Sequence, residues 1–157
     1  MNKIIKKGFT LIEILMVIVI ISVLVAIALP KYIDTVDIAL GKRAYDSMQT
    51  IYTAQMRFYL ENNQENNHTF AANFNSLDVK FPSATANGGT MDFGKFNIIL
   101  DNDIIKTSGL ENYRIVFNLT NETKQCIVES NAGSNKASRI CAALGGKSIG
   151  SGTFELR

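Results

Sequence analysis

The sequence predicts an α+β protein in which a long N-terminal α-helix packs on a C-terminal antiparallel β-sheet. Three observations lead to this prediction. An apolar run extends from Phe9 to Leu29, a helical repeat of apolar residues continues to about residue 62, and strand-like runs follow after residue 90. With 157 residues and 46% hydrophobic composition, the chain suits one domain of ordinary size. The apolar residues are nevertheless concentrated in the first thirty positions, which indicates a helix that extends beyond the domain.

The apolar run is long enough to cross a lipid bilayer. Its 21 residues would form a helix of about 31 Å, which matches the hydrocarbon thickness of a membrane. Lys3, Lys6 and Lys7 precede the run, and a positive flank stays on the cytoplasmic side. We therefore expect a cytoplasmic N-terminus and an extracytoplasmic domain after Pro30.

Two simpler interpretations of the run remain open. A secretory signal peptide would have the same basic start and a small-x-small cleavage site at residues 26–28. An uncleaved anchor with an incidental acid would also fit. The run is longer than the roughly 7–15 apolar residues of a signal peptide, and it contains Glu13, which argues against the first interpretation.

The start of the run carries a specific motif. Residues 6–13 read Lys-Lys-Gly-Phe-Thr-Leu-Ile-Glu, and Pro30 follows just past the lipid-sized portion. This pattern resembles the N-terminus of type IV pilins and of the pseudopilins of type II secretion, over about the first 30 to 40 residues. The resemblance implies that residues 1–8 are a leader peptide. It also implies that a prepilin peptidase cuts between Gly8 and Phe9 and that Phe9 becomes N-methylated.

Glu13 is the one charged side chain between Phe9 and Leu29. An isolated carboxylate in an apolar medium costs several kcal/mol unless it is paired or neutralised. Cleavage after Gly8 would leave a cationic amine on Phe9, one helical turn away. The resemblance implies that Glu13 meets the amine of a neighbouring subunit and so sets the register of a filament, because a misplaced subunit would leave a charge unpaired.

The helix is predicted to continue over residues 31–62 as an amphipathic segment, after the membrane or filament-core helix of residues 9–30. Pro30 and Gly41 are its predicted bends, since proline lacks the amide donor and clashes with the preceding turn. Apolar residues recur three or four positions apart and four tyrosines widen the stripe, which predicts packing against a sheet. These residues are Ile33, Val36, Leu40, Ala44, Met48, Ile51 and Phe58, with Tyr32, Tyr45, Tyr52 and Tyr59.

Residues 63–157 are predicted to form a globular head. The Asn-rich segment 61–89 indicates a long loop with one short helix at most. Strands are predicted at Met91–Leu100, Tyr113–Leu119 and Lys124–Glu129, with a turn at residues 121–122 between the last two. The glycine-rich tail is expected to add a loop and a last short strand.

Cys126 and Cys141 are the two cysteines of the chain and fall in the part predicted to be extracytoplasmic. A disulfide closing this loop would stabilise the fold by roughly 3 kcal/mol in the chain-entropy estimate. The arrangement resembles the C-terminal disulfide-bounded region of many type IV pilins. The alternative, a metal site, would need more ligands than two cysteines.

Composition argues against several other functions. A net charge of +2 without a basic block is unlike a dedicated nucleic-acid binder. His68 is the single histidine, which excludes histidine triads and multi-histidine metal sites and indicates an isolated surface residue. Asp101 and Asp103 are weak candidates for calcium ligands, because acids in a turn are more often solvated or capping. We expect neither an enzyme nor a cofactor.

The sequence therefore favours a structural subunit of a type IV pilus. Its expected partners are copies of itself in a helical filament, prepilin peptidase with its N-methyltransferase activity, the inner-membrane assembly machinery, and membrane lipid before assembly. It would be a single-pass inner-membrane protein first and part of an extracellular pilus afterwards. Two alternatives stay open: a pseudopilin of a type II secretion system, and a membrane-anchored binding module that never assembles.

Overall fold

The computed structural model describes residues 9–62, 69–82, 84–129 and 134–157. They form two compact units, one up to Val36 and one from Asp37 to Arg157, which are treated separately below. In chain order the elements are α1 Leu11–Asn62, a short 3-10 helix Phe74–Ser76, β1 Thr85–Asn87, β2 Thr90–Asp92, β3 Asn97–Asp101, β4 Ile104–Ser108, β5 Tyr113–Asn118, β6 Thr123–Val128, α2 Ser134–Ala143, β7 Lys147–Gly150 and β8 Thr153–Glu155.

The first unit consists of the N-terminal part of α1. The large apolar side chains of the run from Phe9 to Leu29 are between 45% and 84% exposed. Many of them are β-branched and would favour a strand in water. A helix suits an apolar medium because it satisfies its backbone hydrogen bonds internally. Pro30 lies inside the continuous helix, and a bend there stays a prediction.

The second unit contains a single antiparallel sheet of eight strands. Its spatial order is β1-β2-β3-β4-β5-β6-β8-β7. Strands that are neighbours in sequence pair, except β6 and β7, because β8 lies between them. In the central pair, Ile115 is opposite Cys126 and Phe117 is opposite Lys124. The side chains of Tyr113, Ile115 and Phe117 are buried, as the alternation along this segment predicts. The predicted antiparallel sheet is confirmed.

The single strand predicted at Met91–Leu100 is wrong. The structure divides it into β2 and β3, because the chain reverses between Phe93 and Phe96. The Phe93 amide donates to the Phe96 carbonyl at 3.0 Å, and the Gly94 amide donates to an Asp92 carboxylate oxygen at 2.6 Å. Gly94 has φ +81°, a conformation that glycine adopts without strain. Asp92 and Gly94 are residue types that favour turns, and they are the sequence signal that the single-strand prediction did not use.

Several elements of the head were not predicted. They are strands β1 and β4, helix α2, and one of the two strands of the C-terminal β7–β8 hairpin. The short helix expected within segment 61–89 is present at Phe74–Ser76. The turn predicted at residues 121–122 also connects β5 to β6, with Glu122 at φ +54°.

The second half of α1 packs on the sheet with one face. Ala44, Met48 and Ile51 are fully buried, as the periodicity predicts. Tyr45 and Tyr52 contact Phe117 of β5 edge-on, with ring centroids 5.6 Å and 6.2 Å away. Of the other residues assigned to the face, Leu40 and Phe58 are half-buried against this core, whereas Ile33, Val36 and Tyr32 are exposed. The amphipathic stripe therefore begins to be covered near Leu40.

A buried amide fixes the chain beyond the helix. Gln55 is fully buried. Its amide nitrogen donates to the Ala71 carbonyl at 2.8 Å and its oxygen accepts from the Ala71 amide at 2.9 Å. Both polar ends of the side chain are satisfied, which a buried amide requires. Gln55 thus ties the segment that precedes the 3-10 helix to α1.

Candidate processing and assembly site

The N-terminal end of α1 is fully accessible. Phe9 is 75% exposed and Thr10 and Glu13 are exposed. The Thr10 carbonyl accepts from the amides of Glu13 at 3.1 Å and Ile14 at 3.4 Å, so the helical hydrogen bonds start at this residue. Phe9 and Thr10 precede the helix proper. Phe9 therefore lies outside the regular hydrogen-bonded structure of α1 and next to the expected cleavage position.

Glu13 lies in the first turn of α1. A carboxylate there complements the partial positive charge of the helix N-terminus. Among residues 9–62, 69–82, 84–129 and 134–157, no cation lies within ion-pairing distance of it. The carboxylate is therefore presented outward on an apolar helix, where it is available to a cation from outside the described chain.

The other polar residue deep in the apolar run is satisfied within the helix. The Ser22 hydroxyl donates to the Val19 carbonyl at 2.7 Å. A serine bonded in this way needs no external partner and is compatible with an apolar environment. Ser22 thus has its hydrogen-bond partner within the helix, whereas the carboxylate of Glu13 needs a partner from outside the helix.

Three predictions concern the processing and assembly of the N-terminus. Gly8, the expected cleavage position, lies outside the described residues together with the three lysines of the leader. The expected processing at Phe9 and the register role of Glu13 stay predictions. The geometry is compatible with both, since the helix presents Phe9 and Glu13 without obstruction from the described parts of the chain.

Cys126 and Cys141 form a disulfide, with their Cα atoms 5.6 Å apart. Cys126 lies on β6 and Cys141 on α2, and both are fully buried. The predicted pairing is therefore present in the structure. Helix α2 itself was missed, although the sequence carries a signal for it. Apolar residues stand at the three- and four-residue spacing of one helical face, at Ala137, Ile140, Cys141 and Leu144.

An ion pair that the sequence did not indicate joins α2 to α1. The Lys136 ammonium lies 2.5 Å from a carboxylate oxygen of Asp37 and 3.7 Å from one of Glu111. The Asp37 oxygen is buried, whereas Glu111 is 76% exposed in its side chain. The contact with Asp37 therefore contributes more to stability than the contact with Glu111, because an exposed ion pair contributes little.

Gly41 occupies a position where α1 passes close to β5 and α2. A Cβ atom at Gly41 would lie 2.8 Å from the Tyr113 hydroxyl and 3.0 Å from Cγ2 of Ile140. A side chain at this position would force Tyr113 or Ile140 to shift, so the packing favours glycine. Burial, and secondarily the charge of Asp37, raises the pKa of Tyr113 to about 12. The phenol stays neutral at any physiological pH.

The weak calcium candidates are engaged elsewhere. Asp101 pairs with the Lys106 ammonium at 2.6 Å, and Asp103 accepts a hydrogen bond from the Thr120 hydroxyl at 3.0 Å. Within the described segments, no group of three or more His, Cys, Asp or Glu side chains could hold a metal ion. His68 lies outside the described residues, so its exposure stays a prediction.

Comparison with known proteins bears directly on the N-terminus. The family model described as the prokaryotic N-terminal methylation motif matches residues 5–29. The resemblance to the type IV pilins and pseudopilins is confirmed. The matched segment spans the expected cleavage position, Glu13 and the whole apolar run.

A relative of known name supports the same conclusion. The "Type IV major pilin protein PilA" of Myxococcus xanthus (strain DK1622) is 39% identical over 56 residues. The match covers 36% of this chain and 26% of that protein, so the chain spans about a quarter of its relative's length. No solved structure shows a significant match.

The similarity, the fold and the apolar helix together give a consistent assignment. The chain is type IV pilin-like, with an N-methylation motif, a long N-terminal helix on an antiparallel sheet, and a disulfide in its C-terminal part. Helix α1 contains a window that is long and apolar enough to cross a membrane, and none of that window is buried. These features resemble those of the type IV pilins, with a membrane-compatible helix at the N-terminus.

Proposed function

We propose that the chain is the structural subunit of a type IV pilus. In this proposal a prepilin peptidase removes residues 1–8, Phe9 becomes the N-methylated first residue, and the subunit then assembles into a helical filament through its apolar helix. The observation that carries the proposal is the match of the N-terminal methylation motif to residues 5–29. This motif lies on a helix whose large apolar side chains are at least 45% exposed.

The exposed apolar side chains suit two environments that the helix would occupy one after the other. Before assembly the N-terminus lies on the cytoplasmic side of the inner membrane and lipid surrounds the apolar side chains. After assembly the helices of neighbouring subunits replace that lipid. Lipid tails are as apolar as leucine, so the exchange yields little hydrophobic free energy, and shape and polar contacts must decide the outcome.

Glu13 supplies the polar contact that such an exchange needs. In the proposed filament its carboxylate pairs with the methylated amine of Phe9 on a neighbouring subunit. A buried pair of this kind adds little net stability, but loss of either partner strands a charge at a cost of about 3–5 kcal/mol. The pair therefore selects the correct axial register and penalises every other one.

The head would supply the outer surface of the filament. It contributes an antiparallel sheet, with residues 69–82 and the disulfide-bonded α2 among the parts outside the sheet. The C-terminal disulfide favours a pilus subunit over a pseudopilin, since it resembles the disulfide-bounded region of many pilins. Assembly machinery of the inner membrane would drive the transfer of subunits into the growing filament.

The test compares surface fibres and protein export in cells that carry or lack the gene. Fibres sheared from the surface should contain the processed chain, and deletion should abolish its presence there. A deletion that leaves fibres intact but blocks export of secreted proteins would instead identify a pseudopilin. A chain that stays in the membrane fraction under all conditions, with neither defect, would support the non-assembling anchored module.

A further inference from the structure

Helix α2 is attached to the head at two points. It has ten residues and is too short to be stable alone in water. Near its C-terminal end, Cys141 is bonded to Cys126 of β6. Near its N-terminal end, the Lys136 ammonium meets Asp37 of α1 at 2.5 Å. The two attachment points lie about 7.5 Å apart along the helix, and they tie α2 to different elements.

The disulfide is inaccessible while α2 is in place. Both cysteines are fully buried. Thiol–disulfide exchange requires a thiolate to reach one of the sulfur atoms directly. A reductant can therefore act only after α2 lifts away from β6 or after the whole head unfolds. The exchange rate reports how often either event occurs.

The Asp37–Lys136 pair opposes the lifting of α2. One carboxylate oxygen of Asp37 is buried, and the side chains of Asp37 and Lys136 are only 27% and 33% exposed. Moving α2 outward would remove the ammonium and leave a partly buried carboxylate without its cation, which is unfavourable. Ile140, which packs on Gly41, and the buried Ala137 add apolar contacts that must break in the same event.

We propose that the Asp37–Lys136 ion pair is a latch that holds α2 over the Cys126–Cys141 disulfide and controls the access of external thiols to it. When the latch opens, a dithiol reductant attacks one sulfur and forms a mixed disulfide, and the other cysteine leaves as a thiolate. The second thiol of the reductant then releases the first cysteine. Two cysteine thiols and one oxidised cyclic reductant result. The latch operates in the single subunit, and the proposal does not depend on filament assembly.

The experiment measures the reduction rate of the folded full-length chain in detergent micelles. Dithiothreitol is added, samples are quenched with an alkylating reagent, and intact mass counts the labelled cysteines. Lys136→Met should raise the rate about fivefold or more, since about 1 kcal/mol corresponds to that factor. Asp37→Asn should act in the same direction, and the double variant should be no faster than the faster single variant, because both remove one interaction.

Two controls make the result decisive. Lys147→Met removes a lysine from the exposed edge strand β7 and should leave the rate unchanged. Repeating the series at low urea separates local opening from global unfolding, because local opening exposes little surface and depends weakly on denaturant. The proposal is overturned if Lys136→Met reduces at the wild-type rate. It is also overturned if the reduction rate of the wild-type chain increases with urea along the slope of global unfolding.

Discussion

The two halves of helix α1 are both α-helical, but they differ in how their apolar side chains are arranged and exposed. Up to Leu29 apolar side chains surround the helix and remain exposed, whereas after Asp37 the helix buries one stripe against its own sheet. A helix that is apolar on all sides needs an apolar environment from outside, and an amphipathic one needs a single packing partner. The second half therefore stabilises the head, while the first half has a surface suited to an apolar environment, which is lipid or other subunits in the proposed function.

The largest effect is expected at Glu13. Glu13→Ala should still insert into the membrane but should lose most of its incorporation into filaments, because the amine of the neighbouring Phe9 would lack its counter-charge. The amount of subunit in sheared fibres, relative to that in the membrane fraction, measures this effect. Ser22→Ala is the matched control, since its hydroxyl bonds within the same helix. Normal incorporation of Glu13→Ala would contradict the register role.

A pair of isoleucines tests the two halves directly. Ile51 is fully buried and Ile27 is 64% exposed. Ile51→Ala should lower the free energy of unfolding of the head by about 2–5 kcal/mol, because it leaves a cavity. Ile27→Ala should leave that quantity within about 0.5 kcal/mol of wild type. Urea unfolding followed by tyrosine fluorescence would measure both free energies of unfolding. Equal losses in the two variants would contradict the claim that only the second half of α1 stabilises the head.

Alkaline pH should destabilise the head through Tyr113 of β5, which lies close to Gly41 in the second half of α1. Its pKa is raised to about 12 in the folded state from the ordinary tyrosine value of 10.0. The folded state therefore retains a proton that the unfolded state has lost, so this contribution is complete below pH 10 and is lost as the pH rises towards 12. The loss is about 1.4 kcal/mol per pH unit in that window. Tyr113→Phe should flatten the unfolding free energy between these pH values, and an unchanged slope would contradict the assignment.

The smallest effect is expected at Gly41. Glycine to alanine in an exposed helix would stabilise by up to about 1 kcal/mol, but here the new methyl group would overlap the Tyr113 hydroxyl and Ile140. We expect a net destabilisation of about 1 kcal/mol from overpacking. Thermal unfolding of Gly41→Ala in the wild-type and Tyr113→Phe backgrounds would measure it. Removal of the hydroxyl should recover part of the loss, and a stabilised Gly41→Ala variant would show that packing there is loose.

Some parts of the molecule were predictable because their signals are local. The apolar run and the repeat at Ala44, Met48 and Ile51 predict α1, and the alternation in β5 predicts its buried face. The division of Met91–Leu100 into two strands depends on a turn whose key feature is the φ of Gly94. Asp92, Gly94, Lys95 and Asn97 interrupt the apolar residues and are the sequence signal for a turn, but they do not by themselves show that the chain reverses there.

Other parts depend on contacts between distant residues. The Asp37–Lys136 pair joins positions far apart in the chain, and no local pattern marks either residue. The packing role of Gly41 likewise depends on Tyr113 and Ile140. Strand β4 is only five residues long and contains a lysine, so its sequence signal is weak, and pairing with β3 and β5 determines it. These features are determined by contacts between residues that are distant in the sequence, so no local pattern predicts them.

Intact mass combined with N-terminal sequencing of the protein from its native membrane fraction tests the central claim most directly. The proposed processing predicts a chain that begins at Phe9 and carries one added methyl group on its amine. A chain that begins at Met1, or one cleaved near Leu29, would show that the motif is not processed as a prepilin site. The membrane-anchored or secreted interpretation would then replace the filament subunit.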